Sequence, residues 1–213
     1  GRAAGIIGRG PAARRVRVTV RGRPHPFSPS PMPTDQTATP PAPDAAMSTT
    51  PTTEVAVLAG GCFWGVEEIL RAVPGVLDTD VGYTGGWLEN PTYHDTHDSK
   101  SGHAESVRIT FDPRVLSYES LLADWFFRLH DPTTKNRQGN DVGTQYRSAI
   151  FPQTPEQEAT ARRVIARVDA SGKWPRPVTT TIEPPATWYS AEREHQDYLQ
   201  RNPGGYTCHW MRD

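Results

Sequence analysis

Cysteine is scarce in this 213-residue chain: it has only Cys62 and Cys208, 146 residues apart. That excludes a disulfide-built secreted domain, which would be small and dense in cysteine. Two distant thiols fit a reducing compartment and redox or nucleophilic work, so the expected location is cytoplasmic. Long apolar runs are also missing, and no stretch suffices to cross a membrane as a helix. Beyond the N-terminal segment there is no Lys/Arg cluster, which argues against nucleic acid as a partner. The formal net charge of −1 hides an asymmetry. Residues 1–46 carry seven Arg against two Asp, a net of +5, which leaves −6 for the rest.

Acidic residues are absent from residues 1–23, and residues 24–53 hold nine of the 21 prolines. Such a stretch buries too little apolar surface to offset its ordering entropy, so residues 1–53 are expected to be disordered. The Arg-rich, acid-poor start is compatible with a transit peptide, but it lacks the apolar core of a secretory signal. A translated upstream region, with Met32 or Met47 as the native start, fits equally well.

From Glu54 the pattern becomes that of a folded domain over residues 54–213. Strands are expected at Val55–Ala59, Val76–Tyr83, Ala104–Phe111, Arg147–Phe151 and Val178–Ile182. Helices are expected at Cys62–Ala72, after Ser117 through Leu129, from a Thr154-Pro155-Glu156-Gln157 capping box to Ala170, and at Ala191–Arg201. Trp87–Ser101 and Asp131–Gln145 read as long polar loops, and loops of that length in a compact domain usually have a function. Mixed strands and helices with hairpin-length and crossover-length links indicate a single two-layer α+β domain: a mixed sheet with packed helices.

One stretch carries chemistry on its face: Gly60-Gly61-Cys62-Phe63-Trp64-Gly65, between a strand and a helix. Glycines there permit a sharp turn that leaves the sulfur uncovered. A helix start offers free N–H groups and partial positive charge, which would lower the pKa of the Cys62 thiol. Phe63 and Trp64 would wall a pocket for a small uncharged apolar group. On position alone two readings stay open, an activated nucleophile or a buried cysteine between core aromatics. Glu105 opens a strand among apolar neighbours, where partial burial would raise its pKa and make it a proton donor near neutral pH. It is otherwise a surface strand residue. Tyr93 and Tyr146 can donate phenolic hydrogen bonds or simply pack. Asp141 precedes Val142-Gly143 and reads by default as a turn residue. His94 and His97 have the spacing of a ligand pair, but no second compact pair accompanies them, so no metal site is expected.

Taken together, Gly60–Gly65, Gly82-Tyr83-Thr84-Gly85-Gly86, Asn90-Pro91-Thr92-Tyr93, Gly102-His103-Ala104-Glu105, Asp141–Ser148, His195–Leu199 and Asn202–Tyr206 resemble the A-type peptide-methionine sulfoxide reductases. The resemblance runs from about Val55 to Arg212, with every motif in family order. It implies a ferredoxin-like plait and reduction of the S epimer of methionine sulfoxide, free or in oxidised proteins. Cys62 would attack the sulfoxide sulfur, Glu105 would protonate the departing oxygen, and Tyr93 and Tyr146 would hydrogen-bond it. Phe63 and Trp64 would hold the S-methyl group and Asp141 would orient the substrate. Cys62 would be left as a sulfenic acid, which Cys208 converts to a disulfide that thioredoxin reduces. Gly204-Gly205 would let the tail swing inward. The family reading needs no metal or organic cofactor; a monomer is expected. Many relatives carry a longer glycine-rich tail, some with a further cysteine. Here five residues follow Cys208, so a single resolving thiol is expected. His97 stands where many relatives have a cysteine.

Two rival readings remain. A Cys-His acyl-transfer enzyme would need His103 as base beside Cys62. A His-rich redox or metal-binding module would be built on His94 and His97.

Overall fold

A computed structural model describes residues 53–213. The expectations for residues 1–52 lie outside the described part. Strand β1 (Glu54–Gly60) leads through Gly61 and Cys62 into helix α1 (Phe63–Arg71), and β2 (Val76–Thr84) follows. Helix α2 (Tyr93–His97) interrupts the first long loop, and β3 (Ala104–Phe111) comes next. Pairing gives a six-stranded sheet in the order β7-β6-β1-β3-β2-β8, with β6 (Ser148–Ile150), β7 (Thr181–Ile182) and β8 (Tyr189–Ser190). All pairings are antiparallel except β6 with β7, so the sheet is mixed. The inner order β6-β1-β3-β2, with a helical crossover after β1 and another after β3, is the expected plait.

Alternation builds the core. Val107, Ile109 and Phe111 of β3, Ala56 and Leu58 of β1, and Val81 and Tyr83 of β2 meet Phe63, Val66 and Leu70 of α1. Leu121, Leu122, Phe126 and Leu129 of the second crossover join the same cluster. That crossover is α-helical at Tyr118–Ser120 (α3) and Phe127–Leu129 (α4) but π-helical over Leu121–Phe126. The opposite sheet face holds a smaller cluster of Val57, Ala59, Ala104, Ala149 and Phe151.

Several expectations need correction. Helix α1 begins at Phe63, with Cys62 as its N-cap rather than its first turn. The loop Trp87–Ser101 contains α2 because Thr92 and Asp95 form a reciprocal capping box. The loop Asp131–Gln145 contains a small hairpin, β4 (Arg137–Gln138) with β5 (Asp141–Val142). At Thr154 only half of the box forms: Thr154 caps Gln157, whose side chain reaches the N–H of Gln153 instead. This helix, α5, runs Pro155–Ala170 as expected. The helix expected at Ala191–Arg201 shrinks to α6 (Tyr198–Arg201), because Asp197 takes a left-handed conformation with φ of 51°. Upstream of it the Gln196 side chain clamps both Val81 backbone groups, accepting from the N–H and donating to the C=O. Beyond β8 the edge of β2 at Val81 is thus satisfied by the Ala191 N–H and the Gln196 side chain, without a further strand.

Candidate active site

The topology brings the candidate residues to one end of the sheet. Leu58 is paired with Val107, so the end of β1 reaches the level of Glu105. Tyr83, at the end of β2, pairs with Glu105 directly. Gly60 pairs with Ser148 at the start of β6, just after Tyr146. Cys62, Glu105 and Tyr146 thus converge from three adjacent strands, while Tyr93 enters from α2 after β2.

Glu105 shares the face of Val107, Ile109 and Phe111, and that places a carboxyl in the core layer, 2% exposed. Its Oε2 accepts the N–H of Phe63 at 3.2 Å, so the carboxyl sits against the first turn of α1, next to Cys62. Burial raises its pKa to about 8, against the pull of the Phe63 N–H and with a push from Asp141. Glu105 is therefore a buried carboxyl and not a surface strand residue.

Cys62 departs from expectation. It is buried, 6% exposed, not uncovered. Its pKa is raised well above that of a free thiol, first by burial and then by Glu105; the Trp64 amide at the helix start opposes this without overcoming it. The helix start acts in the expected direction and is outweighed by burial and Glu105. Both groups are pushed toward their neutral forms, so the Cys62–Glu105 pair resists carrying two negative charges at once.

The two phenols belong to the same cluster. Burial, then Glu105, then Cys62 raise Tyr93 to about 12. Tyr146 is raised further, by burial, Glu105, Tyr93 and Cys62. Both therefore remain protonated donors at any working pH. Tyr93 is held by its backbone N–H to Glu192 Oε1 at 2.8 Å, while Glu192 Oε2 accepts the Tyr83 hydroxyl at 2.9 Å. Its ring lies stacked 4.4 Å from the His195 ring. Trp64 is stacked on Tyr198 at 3.9 Å and donates its indole N–H to His195 Nδ1 at 3.3 Å. Phe63 packs inward against Tyr83, with ring centroids 5.8 Å apart. Tyr83, Glu192, His195 and Tyr198 pack on or hydrogen-bond to the candidate residues, and the reading of single residues gave them no role. The Gly82–Gly86 and His195–Leu199 motifs were the available signal for three of them.

Cys208 is half-buried and, like Cys62, a free thiol. Its Sγ donates to Asp141 Oδ2 at 3.4 Å, and the Tyr206 hydroxyl donates to Asp141 Oδ1 at 3.1 Å. Both oxygens of Asp141 are therefore engaged by the tail, not left free for a substrate. Burial and then Asp141 raise Cys208 to about 12. The tail is already seated: the ring of His209 meets the Gly60 carbonyl at 2.8 Å, and the Arg212 N–H donates to Arg128 O at 2.9 Å. The tail that follows Gly204-Gly205 is thus docked beside the Cys62 turn.

His103 cannot act as a base on Cys62. Its Nδ1 accepts the Gly86 N–H at 3.0 Å, which puts the proton on Nε2, and Nε2 donates to Leu88 O at 2.8 Å. His94 and His97 are exposed on α2. Among the described residues no three His, Cys, Asp or Glu side chains converge as a metal site requires.

The comparisons point the same way. A family model described as peptide methionine sulfoxide reductase matches residues 54–213. A peptide methionine sulfoxide reductase MsrA of Mycobacterium sp. (strain MCS) is 57% identical over 157 residues, 74% of this chain and 89% of the relative. The fold is similar to that of reduced Mxr1 from Saccharomyces cerevisiae, with a TM-score of 0.70 and 34% identity over 76% of this chain and 93% of the other. Mxr1 has also been solved in complex with Trx2; that structure gives a TM-score of 0.52 and 26% identity over 76% and 91% of the two chains. With a matching model spanning the whole described sheet and a cysteine, a buried acid and two phenols gathered at one end of it, the chain belongs to the peptide methionine sulfoxide reductase family.

Proposed function

We propose that this enzyme reduces the S epimer of methionine sulfoxide by a two-thiol cycle, without metal or organic cofactor. The observation that carries the reading is the Phe63 N–H to Glu105 contact, which sets a proton-holding carboxyl beside the N-cap sulfur. Cys62 Sγ attacks the sulfoxide sulfur, and its proton passes to Glu105 as that carboxyl gives up the one it already holds. Glu105 delivers a proton to the sulfoxide oxygen, and the Tyr93 and Tyr146 hydroxyls stabilise the charge that builds there. The S–O oxygen transfers to Cys62, methionine leaves, and Cys62 becomes a sulfenic acid. Cys208 then attacks that sulfur; an S–S bond forms, the S–O bond breaks and water departs. A dithiol reductant of the thioredoxin class reopens the Cys62–Cys208 disulfide by exchange, in keeping with the yeast relative solved with Trx2. Phe63 and Trp64 shape the wall for the S-methyl group, with Trp64 fixed by His195 and Tyr198. The protein works as a monomer on free or protein-bound sulfoxide in a reducing compartment such as the cytoplasm.

The test is methionine released per enzyme without reductant, measured on each epimer. Wild type and Cys208→Ser should each release about one equivalent from the S epimer, because one sulfenic acid forms per site. Cys62→Ser should release none, and Cys208→Ser should fail to turn over with thioredoxin. Release by Cys62→Ser would remove the nucleophile assignment. Thioredoxin-driven turnover by Cys208→Ser would remove the resolving one.

A further inference from the structure

Residue 209 follows the proposed resolving thiol directly, and its side chain is 7% exposed although it lies in a tail without regular structure. The Gly60 carbonyl can only accept, so His209 Nε2, 2.8 Å away, carries the ring proton and donates it. In the neutral ring Nδ1 is then an acceptor, and it lies 3.5 Å from Cys208 Sγ. Burial, with help from Arg212 and against the Gly60 carbonyl and Asp141, lowers the ring to about pKa 4, so it stays neutral at working pH. The other titratable groups around it are Cys208 and His130.

The ring occupies a slot between two glycines of the Cys62 turn. A Cβ on Gly65 would fall 2.5 Å from His209 Nδ1 and closer still to Thr207 Oγ1. A Cβ on Gly61 would fall 3.2 Å from His209 Nε2 and 2.6 Å from Gln138 Cβ. Gly61 also has φ of +107°, so its own conformation asks for glycine, but Gly65 lies inside α1 and has no such need. An alanine at 65 would favour the helix over glycine. The missing side chain at 65 is explained by the tail that lies against it.

We infer that His209 is a positioning residue for the second half of the cycle, a pin that enters the Gly61–Gly65 slot, grips the Gly60 carbonyl and holds Cys208 beside the Cys62 turn. Pinning the tail raises the effective concentration of one sulfur at the other, so that disulfide closure outruns interception of the sulfenic acid by outside nucleophiles. The inference rests on the assignment of Cys208 as resolving thiol.

The experiment follows formation of the Cys62–Cys208 disulfide after one sulfoxide turnover, with a 1,3-diketone present to trap sulfenic acid, and normalises to methionine released. His209→Phe fills the slot but cannot donate to Gly60. It should slow closure about tenfold or more and divert sites to the trapped adduct. His209→Gln restores a donor to Gly60 and should recover most of the closure rate. Gly65→Ala blocks the slot from the other side and should reproduce the His209→Phe defect; it decides the matter should His209→Phe release no methionine. Closure at the wild-type rate in both His209→Phe and Gly65→Ala would overturn the pin while leaving Cys208 as resolver. Absence of the Cys62–Cys208 disulfide in the wild type would instead overturn the resolver itself, and the pin with it.

Discussion

The N–H of Phe63 donates to Oε2 of Glu105 across 3.2 Å and ties the head of α1 to the central strand β3. This bond costs the helix start part of its usual effect on a neighbouring sulfur, since one of its free amides serves the acid. In exchange it fixes the acid within the site. The residue that acts on the sulfoxide oxygen is thus coupled by backbone to the residue that acts on its sulfur.

Removing the acid should separate proton delivery from binding. In Glu105→Gln the amide oxygen can still accept from Phe63, but no proton can be delivered. The first-step rate should fall by about 10²- to 10⁴-fold with little change in sulfoxide affinity. In the wild type the same rate should decline as pH rises through about 8, where Glu105 loses its proton, and that decline should be absent from Glu105→Gln. A single-turnover pH profile checks both.

The same carboxyl should govern stability. Its folded-state pKa is raised from 4.5 to about 8, so the folded form holds a proton that the unfolded form releases between those values. Stability is fully present below about pH 4.5 and is lost progressively up to about pH 8, by as much as ~1.4 kcal/mol per pH unit. Urea midpoints at pH 5 and pH 8 should therefore diverge more for wild type than for Glu105→Gln, with the variant gaining relative stability at the higher pH.

Asp141 should hold the Cys208 thiol protonated. Burial and the Asp141 carboxylate raise that thiol to about 12, and Asp141→Asn deletes the second cause. In a Cys62→Ser background, alkylation of Cys208 at fixed alkaline pH should be faster in Asp141→Asn, with its pH midpoint shifted down. An unchanged midpoint would mean that burial alone sets the thiol.

Trp64 should lose grip on the substrate when its indole N–H is removed. Trp64→Phe keeps a ring against Tyr198 but loses the bond to His195 Nδ1. A hydrogen bond of about 0.5–1.5 kcal/mol translates into a KM for the sulfoxide raised roughly 2- to 10-fold, with kcat nearly unchanged. Steady-state kinetics on free methionine sulfoxide measures it.

What was legible in the sequence was what depends on local pattern. Alternation over Val107, Ile109 and Phe111 predicted β3, and the same alternation, read back two residues, puts Glu105 on the core face. Glycines and an apolar repeat located the turn at Cys62 to within one residue. What was not legible depends on partners distant in the chain. The two-residue strand Tyr189–Ser190 exists because β2 offers it an edge. The helix expected from Ala191 gives way to a segment whose Gln196 side chain satisfies Val81. The direction of the Cys62 shift reversed because a helix start is a local feature, whereas burial and Glu105 arrive from elsewhere in the fold. His209 carried no pattern at all, since its slot is made by glycines about 150 residues upstream.

Glu105 is rooted in the middle of a six-stranded sheet, whereas Cys208 belongs to a terminal segment with no ladder of its own. Segments of the second kind open at far lower free energy than central strands. Under gentle heating or dilute urea the enzyme should therefore lose its ability to be recharged while it can still perform one repair. A stressed population would behave as a single-use reagent before it ceased to act at all.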